Sequence, residues 1–360
     1  MKRIFKRQRV LSTEHLIIQE DYRMSIRKVF ALLLAVSLLA AGAAFAAGTA
    51  ERIGKTGKKP GRQPFDGKTY KIVMALSHAE HPVWSEDYRQ MDMYCKSLGN
   101  VQATMMGANN DTNTQISQLE SLIHSKVDGI IVAAVDMNSL DEVLNRARAE
   151  GIAVLSFGYE MDCVDTEYLV PNYEVGKVIG ASAGKWINEK LGGKTEVGII
   201  NLPLSKDLID RERGIVDGLM ATAPDASIVA TAKAISVPEG QNVAENFLQR
   251  SPGMKVICSI GDGGGIGANE AAKAAGRITD DFGIFCADAT NEGVQKIYSN
   301  EGIRTDVSLG SSKVRAKDMV DVTLQIIKGE EYPLVFYTPK DAIDKDNVVE
   351  YAREAGFTLQ

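Results

Sequence analysis

The sequence predicts an α/β protein made of two doubly wound, parallel-sheet lobes. Three observations lead there. From Gly67 onward the hydrophobic period switches back and forth between strand and helix values. Runs such as "VDGIIVAAV" are too densely apolar for a sheet with one wet face, so helices must cover both faces. The strand–helix units are also too many for one sheet of ordinary size, so a chain of 360 residues divides in two.

Each element has its own signal. "YKIVMAL" (Tyr70–Leu76) reads as a buried strand, and "WSEDYRQMDMYCKSLG" as a helix closing on a glycine. "VQATMMG" is a strand again. "NTQISQLESLIHSK" sets Ile116, Leu119, Leu122 and Ile123 on one helical face. "VDGIIVAAV" follows, then the helix "SLDEVLNRARAEG", where Ser139 and Glu142 have capping-box spacing, and the strand "IAVLSFG". After "LVPNYEVG" the alternation restarts with a helix over 174–191, "EVGIINL", "DRERGIVDGLMATA" and "SIVATAKA". It continues through "EGQNVAENFLQRS", "MKVICSIG", "GIGANEAAKAAG", "GIFCADA", "NEGVQKIYSN" and "IRTDVSL". A long helix "KVRAKDMVDVTLQIIKGE", a short strand "LVFYT" and a last helix "KDNVVEYAREAG" end the chain. Parallel strands joined in this way need right-handed crossovers.

The N-terminus is of another kind. Residues 24–47 carry Arg27 and Lys28, an apolar run from Val29 to Leu39 and the small-residue end Ala44-Phe45-Ala46, the pattern of a secretory signal peptide. The apolar run is short for a membrane span, and no Cys lies nearby to carry lipid, so no stable membrane anchor is expected. Residues 1–23 contain Glu14, Glu20 and Asp21 and read as lying upstream of a true start at Met24. Residues 48–67, rich in Gly, Lys and Pro, read as a flexible lead. Cleavage after residue 47 removes eight basic and three acidic residues, which takes the net charge from −6 to −11. Such an acidic exported protein has no basic cluster for nucleic acid or anionic lipid. The four cysteines, Cys95, Cys163, Cys258 and Cys286, are too few and too scattered for a disulfide scaffold or a zinc site. Cys258 and Cys286 lie in apolar strand runs, as buried thiols or as a cross-strand pair.

Open parallel sheets bind ligands outside the carboxyl ends of their strands. The residues following each apolar run are rich in Asp, Asn, Arg, Ser and aromatics, which suits a small polar ligand bearing hydroxyls. His78, Glu80 and His81 resemble a metal site only superficially, since His124 lies on a distant helix and no further ligand is at hand. "GDGGGIGA" follows a strand and fits a relaxed dinucleotide fingerprint, with Asp288 placed as a ribose-binding acid would be. Its late position in an exported chain favours a tight turn instead. No nucleophile elbow, Walker loop or zinc-protease helix is present, so no catalytic residue is assigned. Arg211 in "DRERG" stands where a guanidinium fork could grip vicinal hydroxyls, or as an ordinary surface charge.

Several features in order, "HPVW", "VDGIIVAAVD", "SLDEVLNRARAEGIAVLSF", "PNYEVGKVIGASAGKWI", "DRERGIVDGL", "GIFCADATNEGVQKI" and "YPLVFYTPKDAIDKDNVVEY", make residues 68–356 resemble the periplasmic sugar-binding proteins of the ribose/galactose type. That resemblance implies a type I periplasmic binding protein fold whose chain crosses between lobes three times, near Pro171 and Asn172, near Ser308, and near 334–336. The lobes would be 68–171 plus 309–335 and 172–308 plus 336–360, closing on ligand about a hinge. It further implies Trp84 as a stacking platform with His81 beside it, Arg211 and Asp288 as hydroxyl-binding groups, and Ser308 as a hinge-side polar contact. Truncating Arg211 or Asp288 would then abolish binding and leave the apo fold unaffected. Two positions depart from ribose-type members: Gly158-Tyr159, with Glu160 next, replaces Asp-Arg, and Gly261-Asp262 replaces Asn-Asp. Tyr159, Glu160 and Asp262 are therefore the expected seat of a different preference: another sugar, a polyol or a furanose-like molecule. The implied protein is a monomer, periplasmic and not an enzyme, without cofactor or metal, and its partner is an inner-membrane ABC permease. A sensory protein for a chemoreceptor or kinase, and an exported Rossmann-type oxidoreductase, are the alternatives.

Overall fold

The computed structural model describes residues 52–79, 82–203 and 205–360, of which 56–360 form one compact unit. In chain order the elements are β1 (Thr56–Gly57), β2 (Tyr70–Leu76), α1 (Pro82–Leu98), β3 (Val101–Gly107), α2 (Thr112–His124), β4 (Gly129–Ala133), α3 (Asp141–Ala149), β5 (Ala153–Phe157) and β6 (Thr166–Leu169). Then come α4 (Asn172–Leu191), β7 (Glu196–Asn201), α5 (Lys206–Thr222), β8 (Ser227–Lys233), α6 (Val237–Arg250), β9 (Val256–Ser259), α7 (Asp262–Ala274), β10 (Gly283–Ala287) and α8 (Asn291–Tyr298). The chain ends with β11 (Ile303–Ser308), α9 (Ser312–Lys328), β12 (Tyr332–Pro333), β13 (Val335–Tyr337), β14 (Asp341–Ile343) and α10 (Val348–Ala355).

These make two six-stranded sheets of order β13-β6-β5-β4-β2-β3 and β14-β11-β10-β9-β7-β8. Within these two sheets the strands pair in parallel except the edge strand β14, which runs antiparallel to β11. Both faces of each sheet are buried, as the dense apolar runs require. On β2, Ile72, Met74 and Leu76 join one core cluster while Val73 and Ala75 join another. Cys258 aligns with Phe285 across β9 and β10, so Cys286, one residue on, points to the opposite face. All four cysteines are accordingly buried free thiols.

The strands β6 (TEYL) and β14 (DAI) carry no apolar period that would mark them in the sequence. The capping box expected at Ser139 is absent: Ser139 sits in a 3-10 turn and its hydroxyl donates to Asp136, while α3 starts without a side-chain cap. A box does form at Ser236 and Glu239, at the start of α6.

The chain passes between the sheets at 170–171, 309–311 and 338–340. The third passage lies beyond the expected 334–336, because Val335, Phe336 and Tyr337 pair with Glu167, Tyr168 and Leu169 inside the first sheet. Phe336 stacks on Tyr168 with ring centroids 4.4 Å apart, which holds this strand in the first lobe.

Residues 56–66 depart from the expected flexible lead. β1 pairs antiparallel with β12, and the Arg62 amide donates to the Ile327 carbonyl. Lys59 bonds Asp165 at 2.8 Å, and Arg62 donates to the Asp128 carbonyl at 2.7 Å. Asp165 and Asp128 are both buried, so the cations of this strap compensate carboxylates that the first lobe has already removed from water. The segments 1–23 and 24–47, and residues 48–51, lie outside the described residues, as does His81. Among the described residues no helix is long and apolar enough to cross a membrane.

Candidate functional site

The site is assembled at the carboxyl edges of the two sheets. In the second lobe Arg211 is the centre. It is only 7% exposed, although it lies in the first half of a surface helix. Its burial follows from glycines. A Cβ on Gly176 of α4 would stand 1.9 Å from the Arg211 carbonyl oxygen, and one on Gly214 of α5 would stand 2.1 Å from that of Tyr173. Only a stripe of small residues lets α4 and α5 touch backbone to backbone. That contact brings Arg211 over the N-terminus of α4, where Nε and Nη2 donate to Asn172 Oδ1 at 2.9 and 2.7 Å. Nη1 donates to the Ile260 carbonyl at 2.7 Å and lies 3.6 Å from Asp288 Oδ1. Burial lowers the guanidinium pKa while Asp288 and Asp207 hold it up. Arg211 is thus a structural post as well as a ligand candidate. The sequence expectation that its truncation spares the apo fold is corrected on this ground.

Asp288 follows β10 with φ +106°, and Ala289 with φ +47°, backbone that side-chain-bearing residues rarely adopt. The turn holds the Asp288 carboxyl up at the edge, where its side chain keeps 40% exposure. Confinement by surrounding protein pushes this carboxyl up to about 6, against the lowering by Arg211. Asp288 Oδ2 also accepts from the Asp262 amide at 3.2 Å. A carboxylate 40% exposed beside a buried guanidinium offers acceptors, held by a fixed positive charge, to a chain or ring of hydroxyls.

Two expected ligand groups are turned inward instead. Asp262 is buried: its Oδ2 accepts the Thr290 amide and hydroxyl at 2.8 and 2.5 Å, and its Oδ1 faces the Cys286 thiol at 3.4 Å. Ser308 is 1% exposed, donates to the Tyr351 hydroxyl and accepts the Gly310 amide. Each is spent on holding a crossing or a turn. The glycines of "GDGGGIGA" are likewise absorbed by packing. α7 begins at Asp262, and a Cβ on Gly263 or Gly267 would stand 1.8 or 2.3 Å from the carbonyls of Ile235 or Val237. They seat a helix and leave no open loop for a phosphate.

In the first lobe Trp84 lies in the first turn of α1, half-buried against the core beside Tyr88. Tyr159 and Glu160 follow β5, both half-buried, with the Tyr159 carbonyl accepting from Ser156. The lobes meet electrically here. Asp207, in the first turn of α5, has its carboxyl raised first by desolvation and then by the charge of Glu160 in the other lobe. Arg315, at the start of α9, makes a two-pronged ion pair with the fully buried Asp87 at 2.6 and 3.2 Å and also binds the Gly310 carbonyl of the second crossing. Asn172 was named in the sequence only as a crossing point, and Asp207, Asp87 and Arg315 were not singled out. Asn172 and Asp207 occupy helix starts at a sheet edge, a position sequence can flag. The partners of Asp87 and Arg315 are 228 positions apart, which sequence cannot foresee.

Residues 72–331 match the family model described as periplasmic binding protein domain. The xylitol-binding protein of Mycolicibacterium smegmatis is 31% identical over 269 residues, spanning 73% of this chain and 74% of that one. The ribose import binding protein of Bacillus subtilis is 25% identical over 213 residues, 58% of this chain and 68% of its own. An ABC transporter periplasmic solute-binding protein from Actinobacillus succinogenes, solved with bound D-allose, superposes with a TM-score of 0.67 at 21% identity, covering 79% of this chain and all of that one. The chain also has the two parallel-sheet lobes joined by three crossings expected of such a protein, and it is a member of the periplasmic binding protein family with a type I fold.

Proposed function

We propose that the protein binds a small polyhydroxylated solute, a sugar or sugar-like polyol, in the cleft between its lobes. It is made with a signal peptide at 24–47, works in the periplasm as a monomer, and hands its ligand to an inner-membrane ABC permease when the lobes close. The observation that carries the reading is the Arg211–Asp288 pair at the carboxyl edge of the second sheet. Trp84 supplies an apolar face from the opposite lobe, with Tyr159 and Glu160 on the same rim, and relatives named for xylitol and ribose share the chain over most of its length. No step of catalysis is assigned, and no cofactor or metal is invoked.

Calorimetric titration of purified protein with xylitol, D-ribose and D-allose tests this. At least one should bind reversibly, and Asp288→Ala should eliminate the heat. With the Asp288 carboxyl pushed up to about 6 by its surroundings, affinity should weaken as pH falls from 7.5 to 5 and the acceptor becomes protonated. Absence of heat across these and a wider panel of sugars, polyols and nucleosides would refute the reading.

A further inference from the structure

Beneath the Asp288 turn two carboxyl groups meet out of water. Asp262 is 4% exposed and Asp306 fully buried, and donor atoms of Asp262, Asp306 and Cys286 all lie within 4.8 Å of one another. Their hydrogen bonds differ. Asp262 is served by the Thr290 amide, the Thr290 hydroxyl and the Cys286 thiol, three donors to a carboxylate that has room for a fourth. Asp306 Oδ1 accepts the Ala289 amide at 2.9 Å, while Oδ2 is buried with no partner and aimed at the same spot. Gly293 closes that spot from above: a Cβ there would stand 2.3 Å from Asp306 Oδ2 and 2.8 Å from Asp262 Oδ2.

Two carboxylates this close in a dry site do not both ionise. We infer that Asp306 carries a proton on Oδ2, donates it to the Asp262 carboxylate, and so locks β11 to α7 under the strained 288–290 turn, making Asp306 a positioning residue for Asp288. The groups facing the pair are Cys286 from β10, Asp288 just after it, Tyr351 from α10 and Thr290 at the start of α8, with Arg211 and Arg315 acting on Asp288. None of them is a cation bonded to Asp306. Burial first, then the Asp262 charge, raises the Asp306 carboxyl well above its ordinary range. Asp262 and Asp306 hold the residues on either side of the turn, through Thr290 and Ala289, so the proton sits under the ligand acid. That last link rests on the assignment of Asp288 to the ligand.

The test compares wild type, Asp306→Asn and Asp306→Val, all without ligand. A folded pKa above the unfolded one gives stability that is complete at acid pH and is lost as pH rises. Asn supplies the same hydrogen-bond donor with no proton to lose, and the Asp288 contribution cancels in the difference. The melting temperature of D306N minus that of wild type should therefore widen in favour of D306N between pH 5 and 9. A parallel pair of curves would overturn the proton. Amide exchange at Ala289 and Thr290 should stay protected in D306N and rise about tenfold or more in D306V, and equal protection in all three proteins would overturn the positioning role. If either variant fails to fold, infrared difference spectra of Asp288→Ala protein carry the test: a protonated-carboxyl band must be present in the folded protein and be lost as pH rises. Stoichiometric divalent metal in the purified protein would overturn the lock in favour of a metal site. With whichever of xylitol, D-ribose or D-allose binds wild type, D306N should keep its affinity and D306V lose about fivefold or more. If none binds, the proposed function fails while the ligand-free measurements still decide the proton.

Discussion

Replacing Arg211 by alanine should destabilise the protein even before any ligand is added. Wild-type Arg211 makes bonds of 2.9, 2.7 and 2.7 Å to Asn172 and the Ile260 carbonyl, and lies 3.6 Å from Asp288. Truncation strands Asn172 Oδ1 and the Ile260 carbonyl without these donors and leaves Asp288 without its guanidinium. Removing one partner of a buried charged network costs about 3–5 kcal/mol. At roughly 2–4 °C per kcal/mol for a domain of this size, the apo melting temperature should drop by about 6–20 °C. Differential scanning calorimetry of ligand-free protein reads this directly. A lysine at the same position cannot reproduce the fork to Asn172 and should recover only part of the loss. Should R211A melt within about 2 °C of wild type, the network would be weak and the structural role assigned to Arg211 wrong.

The remaining expectations follow from packing and burial. Gly176→Ala puts a Cβ 1.9 Å from the Arg211 carbonyl, so α4 and α5 must part, and denaturant melts should show a loss of about 1–3 kcal/mol or more. An equally stable G176A would mean that the helices separate without cost. Arg62→Ala removes the cation over buried Asp128 and should lower stability by about 3 kcal/mol, whereas a truly free lead would show no effect in urea titrations. The thiols of Cys95, Cys163 and Cys258 are buried and pushed up to about 12, and Cys286 is raised as well, so a thiol reagent should find no reactive cysteine in native protein and four after denaturation. Two reactive thiols on denaturation without reductant would indicate a disulfide.

How much was legible depended on the range of the interaction. The period switching from Tyr70 onward marks most strands and helices because each must present apolar residues to a core, and that demand is written within a few positions. β6, with Glu167 in its middle, escaped because a four-residue strand bonded on both sides needs no apolar period. Asp288 was legible as a residue at a strand end and Arg211 as one near a helix start, while their expected roles came from the family resemblance. The inward turn of Asp262 and Ser308 was not, since it depends on Thr290, Cys286 and Tyr351 arriving from other elements.

Residues 56–66 show the same division. Their composition, short of apolar groups, argues for a free lead, and in isolation it would be one. Asp128 and Asp165, buried by the folding of the first lobe, turn Lys59 and Arg62 into anchors. The amino-acid order by itself determined the two-lobed α/β class and the alternation of elements, because hydrophobic burial has a local period. Only the tertiary structure decided which polar residues after the strands stay exposed, as Asp288 does, and which are consumed beneath, as Asp262 and Ser308 are. A hydrogen bond or ion pair is a property of two positions at once, and the partner's place in space is not carried by either one.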